Sequence, residues 1–265
     1  MSSRERSTIW MVGSGIRGAI QLTLEAIERL RAVEEVLFFP SGDLDAEWLA
    51  RVARVSRATD LSSDYRDGAI DTDNYARIVD RVVAAARRRG EVALLMPGHP
   101  RVGVTLTHLL EDERELPDIH VRAIEGVSSF DTMLNDLRRD PLLNASLVID
   151  ANRLLYYRYR IDPRTDCYVY HVCSIGTRRA HQRTPWRDNR LELLRDHLLG
   201  FYPRDHPAVL VQSGSGSGAE PLLHPGSVGE LALLKPQLTF GTTLFVPGVT
   251  PAATDVDPAF AELLQ

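Results

Sequence analysis

The sequence predicts an α/β fold of two lobes, the first built on a mostly parallel sheet. Three observations carry that expectation. Up to about residue 140, short apolar runs alternate with segments whose apolar residues recur at helical spacing, as βα units require. From about residue 146 the rhythm changes, so a boundary falls between Asp140 and Asp166, with lobes over 1–140 and 141–265. Finally, 265 residues that are 44% hydrophobic and 25% charged can bury a core without metals or disulfides.

Taken in order, residues 8–12 (TIWMV) read as a buried strand, followed by the loop GSGIRG and a helix over 19–33. EEVLFFP is a second strand stopped by Pro40, and DAEWLARVARV a helix. LSSDYRDGAIDTD is a polar connection whose Asp73 can cap the next helix, which ends at Gly90 with basic residues in its last turns. EVALLMP is a third strand, opening into GHPRVGVT and a short helix. HVRAIEG is a fourth, followed by the helix GVSSFDTMLNDLRR. Beyond the boundary, SLVIDA, DCYVYHVCSI, PAVLVQSGS and TTLFVP read as strands, with helices around 187–200 and 226–234. SGSGSG at 213–218 is a flexible turn between strands.

Several function classes are disfavoured. The net charge is −5, from 31 basic and 36 acidic residues, whereas nucleic-acid binding calls for a basic surface. MSSRERSTIW lacks the apolar run of a signal peptide, and no stretch reaches the roughly 20 apolar residues of a membrane span. If CYVYHVC is one strand, Cys167 and Cys173 lie too far apart to pair, so free thiols in a reduced cytoplasmic protein are expected. The histidines show neither H-x-x-E-H nor H-E-x-x-H spacing, which argues against a metal site, and a G-x-S-x-G elbow is missing.

Gly13-Ser14-Gly15-Ile16-Arg17-Gly18 matches G-x-G-x-x-G between a strand and a helix, the context of dinucleotide binding. The acidic residue that would hold a ribose is missing: the second strand ends Phe38-Phe39-Pro40-Ser41, and Asp43 lies beyond the proline. The glycines serve equally well to make a tight βα turn.

The opening WMVGSGIRGAIQLTLEAIERL resembles the first strand, glycine loop and helix of the tetrapyrrole methylase superfamily, with Arg17-Gly18 at the third glycine-spaced position. MPGHPRVGVT resembles that superfamily's loop after the third strand, IEGVSSFD its P-G-[IV]-S-[SA] turn with Glu125 in place of proline, and TTLFVP its last strand. Four segments in the right order span almost the whole chain. The resemblance implies a two-lobed fold with a mostly parallel sheet in the N-terminal lobe and a mixed sheet in the C-terminal lobe. It also implies S-adenosylmethionine in the cleft between them, and a homodimer. The cofactor residues it implies are Pro97, Gly98, His99, Val102, Val104, Gly126, Val127, Ser128, Ser129, Cys173, Thr242 and Thr243.

The G-H-P form together with DLSSDYRDGAIDTDNYARI is similar to the borosin peptide α-N-methyltransferases. Tyr65 and Tyr75 fall where two tyrosines of that branch stand, Ser62 replaces another, and Asp71 replaces the catalytic arginine. This resemblance makes Tyr65, Tyr75 and Asp71 the candidate catalytic residues. Since the sequence ends at Glu262-Leu263-Leu264-Gln265, without the C-terminal substrate segment of cis-acting borosins, the expected substrate is a separate ribosomal precursor peptide. The alternatives are C-methylation of a tetrapyrrole or other small molecule, and a methylase-fold binding partner with impaired catalysis.

Methyl transfer from a sulfonium is an in-line displacement, so the protein supplies proximity, orientation and proton removal. A phenol can orient an acceptor or, with a lowered pKa, take its proton. His99 is either a turn histidine bonded to nearby backbone or a ring lining the site. Ser128 and Ser129 fit a helix cap as well as a cofactor contact, and Asp131 suits the first helical turn. Tyr156-Tyr157-Arg158-Tyr159-Arg160 is an aromatic-basic run suited to a surface crossover or to stacking on a substrate.

Overall fold

The computed structural model describes residues 6–112, 114–252 and 255–264. The first five residues of the opening segment and Gln265, on which the expectations about both chain ends partly rest, lie outside these. The first sheet contains β1 (Ser7–Gly13), β2 (Glu35–Phe38), β3 (Ala58–Asp60), β4 (Glu91–Met96) and β5 (Ile119–Ile124). Its order is β3-β2-β4-β1-β5 and every pair is parallel.

These strands read as unbroken apolar runs because helices cover both faces of the sheet. Ile9, Met11, Leu37 and Leu94 point to one face, which buries α3 (Asp71–Arg89) and α4 (Thr105–Leu110). Their neighbours Trp10, Val12, Phe38 and Leu95 point to the other, under α1 (Leu24–Ala32) and α2 (Ala46–Arg51).

The second sheet contains β6 (Ser146–Asp150), β7 (Asp166–Tyr170), β8 (Pro207–Gln212), β9 (Leu222–Ser227) and β10 (Thr243–Val246). Its order is β6-β7-β10-β8-β9; β6 and β7 are parallel and the other pairs antiparallel, so the sheet is mixed as expected. A crossover that includes α6 (Ala151–Tyr156) joins the parallel pair. One face packs Val169, Leu210 and Leu244 against α6 and α7 (Leu191–Leu198). The other packs Tyr168, Tyr170, Val211 and Phe245 against Phe130 and Met133 of α5 (Ser129–Leu137). α5 therefore leaves the last strand of the first sheet and seals the second. Phe130 meets Tyr168 edge-on with ring centroids 5.0 Å apart, and the Ser213 hydroxyl donates to Asp136 Oδ2 at 2.6 Å.

Some local expectations are corrected. The helix expected over 19–33 is a 3₁₀ turn at Gly18–Gln21 followed by α1, because Thr23 turns extended and its Oγ1 accepts from Ala26 N. Asp73 does not cap α3. That helix starts at Asp71, and the Asp71 N–H donates to Arg178 O at 2.9 Å, so the tertiary fold satisfies an orphan donor that a side chain would otherwise take. β7 stops at Tyr170 because His171 adopts φ 55° and the chain enters a 3₁₀ turn over Val172–Ser174; Cys167 and Cys173 therefore do not share a strand. Both thiols are free and buried. The helix around 226–234 is β9 followed by a 3₁₀ segment over Val228–Gln237, which contains Pro236. β3, β9, α6 and the terminal α8 (Pro258–Leu263) were not legible as such.

Candidate active site

Three loops leave the C-terminal ends of β1, β4 and β5 and meet at glycines. A Cβ on Gly13 would lie 2.5 Å from Gly98 O, and one on Gly126 would lie 2.6 Å from the same oxygen. Gly15 and Gly98 also exchange backbone hydrogen bonds, Gly98 N to Gly15 O at 2.8 Å and Gly15 N to Gly98 O at 3.3 Å. The glycine loop thus serves packing between loops. Most of its donors are already used: Gln21 Oε1 accepts from Ile16 N at 2.7 Å and Arg17 N at 2.8 Å, and Asp43 Oδ1 accepts from Ala19 N at 3.0 Å. A dinucleotide pyrophosphate would have to displace both side chains, which together with the missing ribose acid disfavours that reading.

The loop before α3 is clamped to the segment after β7. Gly68 N donates to Ala180 O at 2.6 Å, Ala180 N to Ala69 O at 3.0 Å, and Gln182 N to Asp67 Oδ1 at 2.7 Å. This clamp delivers Tyr65 and Asp71 to the cleft. The Tyr65 hydroxyl donates to Asp71 Oδ1 at 2.6 Å. The Tyr65 ring meets Tyr75 edge-on at 6.0 Å between centroids and Phe240 at 6.1 Å. One turn into α3, the Tyr75 hydroxyl faces Thr105, Tyr65 and Asp71.

Two cavities adjoin at this cluster, sharing Tyr65, Tyr75, Gly103, Thr105 and Phe240. The first, about 450 Å³, is walled by Phe39, Ile78, Met96, Pro97, Val104 and Leu106. The second, about 350 Å³, is bounded by Asp71, Asp150, Asn152, His171, Cys173 and Arg178. His171 Nδ1 lies 2.7 Å from Asp150 Oδ2, and its Nε2 edge lies beside Gly103, where a Cβ would sit 3.2 Å away.

The electrostatics overturn one expectation. Burial, the neighbouring Tyr75 and the hydrogen bond to Asp71 push the Tyr65 phenol well above its ordinary value. Burial, with the Asp71 charge, also raises Tyr75. Neither phenol has the lowered pKa that a tyrosine base needs; both stay protonated and act as hydrogen-bond donors. Burial pushes the Cys173 thiol up to about 11, so it is neutral at ordinary pH. At Asp150 burial acts to raise the carboxyl, but hydrogen bonds from His171 and the backbone of Arg153 and Asn152 outweigh it and hold it below its usual range.

Tyr65, Asp71 and Tyr75 are brought together. Of the cofactor residues, Pro97 and Val104 line the first cavity and Cys173 the second. Gly98, His99 and Val102 belong to the loop carrying Pro97 and Val104 but do not line either cavity; His99 Nδ1 accepts from Arg101 N at 3.1 Å, the turn arrangement. Gly126 and Val127 lie behind that loop, on the Gly98 side. Ser128 caps α5 in a reciprocal pair with Asp131, and Ser129 bonds Tyr170 Oη at 3.2 Å. Thr242 and Thr243 are buried at the start of β10, just after Phe240. The run Tyr156–Arg160 is exposed, and Tyr156 and Tyr157 line a third cavity, of about 490 Å³, that shares Asn152 with the second. Sequence reasoning missed Gly103, Thr105, Asp150, His171 and Phe240. The only available signal was the position of Gly103 and Thr105 inside the GHPRVGVT loop; Asp150 and His171 stand 21 positions apart and meet only through β6–β7 pairing. Among the described residues no group of three His, Cys, Asp or Glu side chains could hold a metal ion, and no helix is long and apolar enough to cross a membrane.

The chain shares its fold with uroporphyrin-III C-methyltransferase from Thermus thermophilus, at a TM-score of 0.61 and 20% identity over 98% of this chain and 97% of that one. It likewise shares the fold of the methyltransferase CobJ, at a TM-score of 0.59 and 17% identity over 92% and 95% of the two chains. In sequence it is similar to a methyltransferase/type I borosin cyclic peptide precursor of Cerrena unicolor, 24% identical over 79% of this chain and 50% of that protein. A type II counterpart from Phlebiopsis gigantea is 22% identical over 95% of this chain and 45% of its own length. The chain spans about half the length of these curated relatives. The family model for Tetrapyrrole (Corrin/Porphyrin) Methylases matches residues 8–232, and the chain belongs to that family.

Proposed function

We propose that the protein transfers methyl groups from S-adenosylmethionine to backbone amides of a separate ribosomal precursor peptide. The observation that carries this reading is the Tyr65–Asp71–Tyr75 cluster, set where two cavities adjoin. An amide nitrogen is a weak nucleophile and becomes reactive as its proton leaves and negative charge gathers on the carbonyl oxygen. A phenol that stays protonated is suited to donate to that oxygen, and such donors act strongly in a water-poor site. Asp71 Oδ1 accepts the Tyr65 hydrogen bond at 2.6 Å, and Tyr75, whose hydroxyl faces Thr105, Tyr65 and Asp71, is the donor assigned to the amide oxygen. The apolar wall of Phe39, Ile78 and Met96 suits the side chains of a peptide such as a borosin precursor.

The residues present also suit the cofactor. Cavities of about 450 and 350 Å³ are of ligand size. A sulfonium cation is favoured by the carboxylates Asp71 and Asp150 and by the faces of Tyr65, Tyr75 and Phe240. Pro97, Val104, Cys173 and the backbone of Gly103 would hold it. In this reading Gly98, His99, Val102, Gly126, Val127, Ser128, Ser129, Thr242 and Thr243 set the loops and the strand end around it. When bound, it supplies an electrophilic methyl group.

The reading includes lobes divided at residue 140, supported by the two sheets falling on either side, and a homodimer acting in the cytoplasm. Exposed Leu142, Leu143 and Val148 offer an apolar face for a second copy. Calorimetric titration with S-adenosylmethionine and with NAD tests the cofactor assignment. Binding of the first and not the second is expected; tight NAD binding with no response to S-adenosylmethionine would overturn it.

A further inference from the structure

We infer that His171 takes the amide proton and that Asp150 is the residue that positions its ring; this rests on the reading of peptide-amide methylation. The backbone makes the first argument. His171 is a non-glycine residue in the left-handed region, at φ 55°, a conformation that L residues with a Cβ rarely adopt. Several contacts hold it there. Ser174 N donates to His171 O at 3.1 Å, Asn152 Nδ2 to Ser174 O at 3.1 Å, and Asn189 Nδ2 to Val172 O at 2.8 Å. The turn sends the ring over Asp150 instead of continuing the alternation of β7.

Asp150 is itself fixed. It ends β6 and caps α6, its Oδ1 accepting from Arg153 N at 2.8 Å, which leaves Oδ2 for His171 Nδ1 at 2.7 Å. A carboxylate on Nδ1 favours the tautomer with its proton there and leaves an Nε2 lone pair. Nε2 makes no hydrogen bond among the described residues and lies beside Gly103, which borders both cavities.

Elimination makes the second argument. From the loop and α3 side, Tyr65 and Tyr75 are protonated donors, and Asp71 accepts the Tyr65 hydrogen bond on Oδ1. From the segment after β7, Cys173 is a neutral buried thiol, Arg178 and Arg179 are permanently charged, and His181 is paired with Asp188 at 3.2 Å. Tyr170, whose ring lies 6.3 Å from that of His171, is also held protonated by burial. His171 Nε2 remains as a ring nitrogen without a hydrogen-bond partner among the described residues. In the step, the amide N–H proton moves to Nε2 and the nitrogen electrons form the N–CH₃ bond. The S–CH₃ bond pair stays on sulfur as a neutral thioether. Asp150 accepts from Nδ1 of the imidazolium that results, and Asp71 lines the same cavity.

The test compares wild type, His171→Asn and Asp150→Asn. Asn tolerates a left-handed backbone and Asn at 150 keeps the α6 cap, so both variants should fold. With S-adenosylmethionine and a precursor peptide, His171→Asn should lower the methylation rate at least about a hundredfold and flatten the acid limb of the pH–rate profile. Calorimetric affinity for the demethylated cofactor should stay unchanged. Nitrogen NMR of the free protein should show the His171 proton on Nδ1 in wild type and shifted toward Nε2 in Asp150→Asn. A His171→Asn enzyme within about twofold of wild type, or an Nε2-protonated ring in wild type, overturns the inference alone. A wild-type protein that never methylates peptide amides overturns the underlying reading, and the inference with it.

Discussion

The Tyr65 hydroxyl donates to Asp71 Oδ1 across 2.6 Å, and this bond decides what the two residues can do. Together with burial and the neighbouring Tyr75 it keeps the phenol protonated, and it occupies one carboxylate oxygen. The resemblance to borosins leads one to expect an arginine at this position. In the proposed reading Asp71 organises a donor, where an arginine would supply positive charge to the amide oxygen. Asp71→Ala should release Tyr65 and slow methylation at least about tenfold, with affinity for the demethylated cofactor, which carries no sulfonium charge, within a few-fold. Steady-state rates and calorimetry on the same preparation check both parts; a fully active Asp71→Ala enzyme would remove the cluster from the chemistry.

Tyr75→Phe keeps the ring that lines both cavities and removes only the hydroxyl. If that hydroxyl stabilises charge on the amide oxygen, kcat should fall about tenfold to a thousandfold with little change in KM. A change confined to KM would make Tyr75 a binding residue.

Buried tyrosines predict an alkaline limit to stability. Burial raises Tyr168 and Tyr170, each to about 12. A folded-state pKa above the unfolded one means that the native state holds more protons in the interval between them, so stability falls as pH rises there. The contribution is complete below about pH 10, the unfolded tyrosine value, and is lost through about 12. Urea unfolding across that window should show a decreasing midpoint; a rising midpoint would contradict the buried, protonated arrangement under α5.

Much of the first lobe was legible because its strands are buried on both faces. Residues 8–12 and 91–96 appear as unbroken apolar runs, and helices of 3.6-residue period separate them. β3 was not legible, since three edge residues with half-exposed side chains carry no period. The helix expected from residue 19 failed because the Gln21 side chain turns back onto its own loop, a contact no periodicity encodes. At the site, Tyr65, Asp71 and Tyr75 are close in sequence and could be grouped there. Phe240 and the His171–Asp150 pair reach the same cleft only through the second sheet and the 66–71 clamp. A strand-ending histidine in YHVCSIG gives no local sign of the left-handed turn that aims its ring.

Gln21 supplies a test of the glycine loop. Its Oε1 satisfies two backbone donors, so Gln21→Ala should lower stability by about 1–3 kcal/mol. The variant should still fail to bind NAD, because no acidic residue ends β2. Thermal unfolding with and without NAD checks this; stabilisation by NAD in either protein would restore the dinucleotide reading.

The central claim is tested most directly by product analysis. Purified protein is incubated with S-adenosylmethionine carrying an isotopically labelled methyl group and with the peptide product of an adjacent small gene, and the peptide is then fragmented in a mass spectrometer. The account predicts label on backbone amide nitrogens, in whole-methyl increments that localise between consecutive residues. Label on side chains alone, or label transferred to a tetrapyrrole while the peptide stays unmodified, would contradict it.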